Sequence, residues 1–239
     1  MLRTKTAKPL SSSTPPPSYE ESASSPASHS VSSQALNLTI NKTFISPVTF
    51  SSSPETSHPA YELSHELDAG HSTISISRLR PSTKTAPETG SRREKHIYSF
   101  AQSLFSNTVE IIGKRRSSLP GILCLRANHS FLKHSWEIWH RATSSDNSTL
   151  LFRTRPMRNP QKADRLQWED PGRELVAVET VWKPGSTQPG LHVVKDVGEQ
   201  IVDVLVTGWC AKIWIGWQMW IAENRGRLAY EEMTVMSND

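Results

Sequence analysis

Leu205-Val-Thr-Gly-Trp-Cys-Ala-Lys-Ile-Trp-Ile-Gly-Trp-Gln-Met-Trp220 holds one charge, Lys212, and no turn-forming residue apart from Gly208 and Gly216. Wound at about 100° per residue, it puts apolar side chains on nearly every face, and a helix of that kind must be surrounded. From Val204 to Ile221 it would span roughly 27 Å at about 1.5 Å per residue, which is marginal for a bilayer. Two surroundings compete: lipid, as a tail anchor, and the inside of a β barrel. Trp209, Trp214, Trp217 and Trp220 run through the segment, whereas membrane tryptophans gather at the two interfaces. The two glycines let strands approach closely, and Asp203 and Lys212 are costly in hydrocarbon. A central helix over 199–221 is therefore predicted, with Trp209 and Trp214 inside a barrel.

The residues ahead of it supply the wall. Leu36-Asn-Leu-Thr-Ile40 alternates apolar and polar, the period of a half-buried strand. Thr43–Ile45, Tyr61–Leu63, Ser72–Leu79, His96–Phe100 and Thr108–Ile112 continue the pattern. Gly121–Arg126, Ser135–His140, Thr149–Thr154, Arg165–Trp168, Glu174–Trp182 and Leu191–Val194 complete it. Gly, Pro, Asn or Asp punctuates nearly every gap, and residues 80–93 read as a polar loop. The expected fold is mainly β: a closed antiparallel barrel of about 12 strands around one central apolar C-terminal helix.

Composition divides the 239 residues into a barrel domain, 35–239, and a disordered arm, 1–34. Hydrophobic residues make up 36% of the chain and the mean hydropathy is -0.49, low for a globular protein. The shortfall is local, because about half of residues 1–57 are Ser, Thr or Pro while all 8 Trp fall between Trp136 and Trp220. Such an arm has too little apolar surface to offset its ordering entropy. Within it, Pro16-Pro17-Ser18-Tyr19 follows Pro15, which holds the segment in polyproline II so that its rings and Tyr19 dock in an aromatic groove at little ordering cost. Pro16, Pro17 and Tyr19 are the candidate contacts for a WW-domain partner.

The net charge of +4 hides an uneven distribution: 17 Lys/Arg against 6 Asp/Glu between Arg78 and Arg165, and 10 against 17 elsewhere. A basic middle can attract an anionic lipid surface; its bland counterpart is a solvated wall balanced by acidic neighbours in space. Lys114, Arg115, Arg116, Arg153, Arg155 and Arg158 are the candidate anion or lipid contacts, and no nucleic-acid partner is expected. Arg115 and Arg116 precede Ser118 by the spacing a basophilic kinase reads, so Ser118 on an exposed hairpin is a candidate phosphorylation site. Cys124, His129, His134 and His140 lack the closely spaced ligand pairs that zinc needs, so no metal site is assigned. No nucleophile elbow, phosphate loop or dinucleotide turn occurs, and neither an enzymatic activity nor a cofactor is expected. Two cysteines, 86 residues apart, and a basic start without an apolar run suggest a reduced, cytoplasmic protein, with peripheral membrane contact as the lipid option.

Strands first, a basic middle and an all-round apolar helix last make an uncommon order. Ser135-Trp-Glu-Ile-Trp-His140, Leu150-Leu-Phe-Arg-Thr-Arg-Pro156, Leu166-Gln-Trp-Glu-Asp170 and Asp203-Val-Leu-Val-Thr-Gly-Trp-Cys-Ala-Lys-Ile-Trp214 carry a resemblance. Over about Leu36 to Ile221 the chain resembles the tubby C-terminal-like superfamily of tubby proteins, phospholipid scramblases and plant LURP-one-related proteins, most of all its fungal LURP-one-like members. The resemblance implies a twelve-stranded barrel around one helix, and its tubby members imply phosphoinositide binding through basic residues. The chain shares the Pro-rich head of scramblases but not their cysteine cluster or acidic calcium loop.

Overall fold

Wherever apolar and polar residues alternate, one edge of the backbone faces a core and the other faces water, and each such run forms a strand. The computed structural model describes residues 36–48, 59–80, 93–102, 108–130, 133–143, 147–157, 165–180 and 188–236. The expected arm, with Pro16, Pro17 and Tyr19, lies outside these residues, as does Arg158. The first six strands are β1 (Leu36–Asn41), β2 (Phe44–Pro47), β3 (Tyr61–Leu63), β4 (Thr73–Arg80), β5 (Arg93–Gln102) and β6 (Thr108–Gly113). Then follow β7 (Ile122–Ser130), β8 (Lys133–Arg141), β9 (Ser148–Pro156), β10 (Arg165–Glu169), β11 (Leu175–Thr180) and β12 (Gly190–Val193). Each matches a run of alternation in the sequence. The polar loop is narrower than its composition suggested, since Arg80 and Arg93 pair with each other at the ends of β4 and β5.

Each strand pairs antiparallel with its neighbour in sequence, and β1 closes the ring against β12 through Leu36↔Val193 to Thr39↔Gly190. An up-and-down barrel of this kind has no free edge to pair with another chain. Most inward positions are apolar: Leu38, Ile74, Phe100, Ile111, Leu125, Ile138 and Trp168 are all buried. Eight strands leave an interior that side chains just fill, so a larger ring needs a filler, and a helix is roughly 10 Å across. That filler is α1 (Glu199–Met236), which starts after Gly198 at φ 78°. Every residue from Asp203 to Ile215 is buried, on all faces of the helix. Trp209 is 0% exposed and Trp214 2%, as predicted, with Trp214 edge-on to Phe100 at 5.6 Å.

The helix departs from the sequence reading at its far end. It continues past Ile221 to Met236, through Gly226, over a stretch that has no proline and is otherwise rich in helix formers such as Ala, Arg, Leu and Glu. Gly216 is exposed, and Trp217 and Trp220 stack at 5.0 Å, half-buried at the mouth where α1 leaves. Nε1 of Trp214 and of Trp217 donates to the His71 and Asp68 carbonyls of the β3–β4 loop, at 3.1 and 3.0 Å. Among the described residues no helix is long and apolar enough to cross a membrane.

Candidate functional site

The basic triad sits on the loop joining β6 to β7. Lys114, Arg115 and Arg116 are exposed, and the Gln200 amide donates to Ser117 O at 3.1 Å, which puts the loop on the rim where α1 enters. The loop folds back tightly: a Cβ on Gly113 would meet Ser118 Cβ at 2.8 Å. That fold corrects the expectation at Ser118. Its side chain is turned inward and the residue is 2% exposed; Oγ donates to Ile97 O at 2.7 Å and accepts from Arg115 N at 3.3 Å. A kinase therefore meets the exposed Ser117, while Ser118 acts as a strut between loop and β5. Beside it Leu119 N donates to the Tyr98 hydroxyl at 2.8 Å.

Arg153 and Arg155 lie elsewhere, on the outer face of β9, with β7 and β8 between them and the triad. Both face one carboxylate, Glu169, at 3.4 and 3.3 Å. Glu169 is itself largely buried, and its Oε2 and Arg153 Nε show no well-aligned hydrogen bond among the described residues. The strand register extends the pattern: Arg126 lies opposite Glu137, Glu137 opposite Arg153, and Arg153 opposite Glu169. Positive and negative side chains thus alternate across four strands, an arrangement that favours each cross-strand pair. Across β7 to β10 the basic middle is a balanced wall, and Lys114, Arg115 and Arg116 do not converge with Arg153 and Arg155.

The same wall continues at the rim, where Lys195 Nζ bonds Asp170 Oδ2 at 2.8 Å and also Glu174. Hydrogen bonding from Lys195 holds the Asp170 carboxyl below its usual range, and the two carboxylates hold the Lys195 ammonium above its own. One cluster tempts a catalytic reading. His96 Nε2 lies 3.2 Å from Ser99 Oγ and 3.1 Å from Tyr98 O. A nitrogen facing a carbonyl carries the proton and donates, so His96 in this pose is not a base for Ser99. His140 likewise meets Pro120 O at 2.7 Å through Nε2. Cys124 lies opposite Trp139, and among the described residues no three His, Cys, Asp or Glu side chains gather to hold a metal.

Two polar sites that the sequence reading did not pair lie inside the barrel. Asp203 accepts from the Tyr61 hydroxyl and from Arg78 Nε, both at 3.0 Å, and Arg78 also pairs with Glu199. Burial, then the Asp203 charge, pushes the Tyr61 hydroxyl far above the usual tyrosine range. Farther along α1, Lys212 Nζ donates to Glu179 Oε1 at 2.6 Å, and Trp168 Nε1 donates to Glu179 Oε2 at 3.0 Å. The signal was present: Lys212 and Glu179 are each the sole charge in an apolar run, with opposite signs. No family model, curated protein or solved structure matches the chain.

Proposed function

We propose that the protein is a non-enzymatic adaptor of the cytoplasm, in which a plugged barrel carries an arm whose Pro16-Pro17-Ser18-Tyr19 motif binds a WW-domain partner. The observation carrying this reading is that motif, in an arm whose other aromatic-free Ser/Pro sequence offers a groove little else to hold. The barrel's own state supports it, since α1 fills the interior with Trp209, Trp214 and their neighbours and leaves recognition to the outside. Isolated WW domains should retain the full chain, and Tyr19→Ala should lose that retention. Equal retention of the two chains removes the proposal.

Exposure of Lys114, Arg115 and Arg116 together on one rim, beside an Ile112 that is 43% exposed, favours a second reading. In it, that loop docks on an anionic lipid surface, as the resemblance to tubby-like proteins suggests. Each cation near such a surface contributes about 1 kcal/mol. Flotation with phosphoinositide vesicles should fall when all three become Gln and when salt is raised; salt-insensitive flotation excludes it.

A further inference from the structure

On the outer wall, the register stacks two rows of side chains across β1, β12, β11 and β10. One row runs Asn37, His192, Val178, Gln167; the next runs Thr39, Gly190, Thr180, Arg165. The second row lacks a side chain in its middle. A Cβ added to Gly190 would lie 3.7 Å from both Leu38 O and Thr180 Oγ1, ordinary contact distances, so a side chain would fit there and its absence makes a hollow. Over it lies a groove of about 560 Å³. Val48, bonded through its N to Asn37 O, stands at its β1 end; Arg165, whose carbonyl accepts from Met157 N, stands with Met157 at its β10 end, and Val178 and Thr180 lie between. That volume is in the range that holds small ligands. Arg165 is exposed and has no carboxylate partner among the described residues, unlike Arg153 and Arg155 on the same wall.

We propose that this groove binds a single-chain amphipathic carboxylate, with its apolar chain running over Gly190 past Val178 toward Val48 and its carboxylate on Arg165, beside Met157. An apolar trough with one guanidinium at its end matches one anionic head on one apolar body. A guanidinium fork pairs bidentately with a planar carboxylate, whereas a multiply charged headgroup would call for several unpaired cations. The Thr180 hydroxyl stands beside Arg165 in the row and supplies a further hydrogen bond to the head.

The test titrates the full chain with decanoate, decanol and decylammonium, following binding by calorimetry. Decanoate should bind saturably and decanol about tenfold more weakly, the worth of one partly exposed charge-assisted hydrogen bond. Arg165→Gln should bring decanoate down to the level of decanol and leave decanol unchanged. Arg165→Glu, a change on an exposed side chain that should leave folding intact, should exchange decanoate for decylammonium. Gly190→Val, which fills the hollow, should abolish binding of decanoate and decanol. No saturable decanoate binding by the parent, equal binding of decanoate and decanol, or decanoate binding unchanged in Arg165→Glu overturns the proposal.

Discussion

A Cβ on Gly208 would lie 3.1 Å from Ile138 Cγ1 and closer still to its Cδ1, whereas a Cβ on Gly216 would meet nothing within 4 Å. Both glycines are helical, so alanine at either gains up to about 1 kcal/mol of helix propensity. At Gly208 that gain opposes overpacking of about 1–3 kcal/mol, because Ile138 is fully buried and cannot swing aside. Gly208→Ala should therefore lower the urea midpoint while Gly216→Ala raises it. Adding Ile138→Val removes Cδ1 and should recover part of the Gly208→Ala loss; strictly additive effects would mean that Ile138 is not the obstacle. The sequence shows two like glycines eight residues apart. What separates them is where the barrel mouth falls, a tertiary fact without a local signature. Ser117 and Ser118 pose the same problem, since adjacent serines in a basic loop do not reveal which one turns inward.

Elements were more legible than residues. Strand periodicity placed all twelve strands because each has a wet face and a dry one, and the helix was visible because it has no wet face at all. Its far end was not visible: the sequence offers Gly226 as a stop, and α1 runs through it to Met236. Within the barrel the helix is held by two ion pairs. Asp203 and Lys212 are nine residues apart, about 180° around the axis and roughly 13.5 Å along it. Their partners, Arg78 on β4 and Glu179 on β11, lie on nearly opposite sides of the ring. Together the pairs fix the rotation and depth of α1, which an apolar surface alone specifies poorly. Lys212→Met should cost about 3–5 kcal/mol by leaving Glu179 buried without its cation. Lys212→Met with Glu179→Leu should recover most of that, measured by urea unfolding. A single variant as stable as the parent would show that water reaches Glu179.

On the scale of the whole molecule, burial makes the thiols reporters of how the barrel opens. Cys210 lies in the middle of the threaded part of α1, fully buried, and burial pushes its thiol far above the ordinary range, so it does not react while it stays there. Cys124 is half-buried on β7, between the inward Leu123 and Leu125. A thiol reagent should therefore modify Cys124 in the folded protein and both cysteines in urea. The rate at Cys210 carries more information. Two routes expose it: α1 slides out through a mouth, or the ring of strands comes apart. Sliding would have to break the Asp203 and Lys212 pairs together and draw Trp209 and Trp214 through the ring, which is no easier than unfolding. With reclosing fast relative to labelling, the rate then tracks the population of the open form. Modification of Cys210 should accelerate with urea along the full slope of global unfolding. A shallow slope at low urea would instead mean that the helix withdraws from an intact barrel, and the plug would then be a movable part.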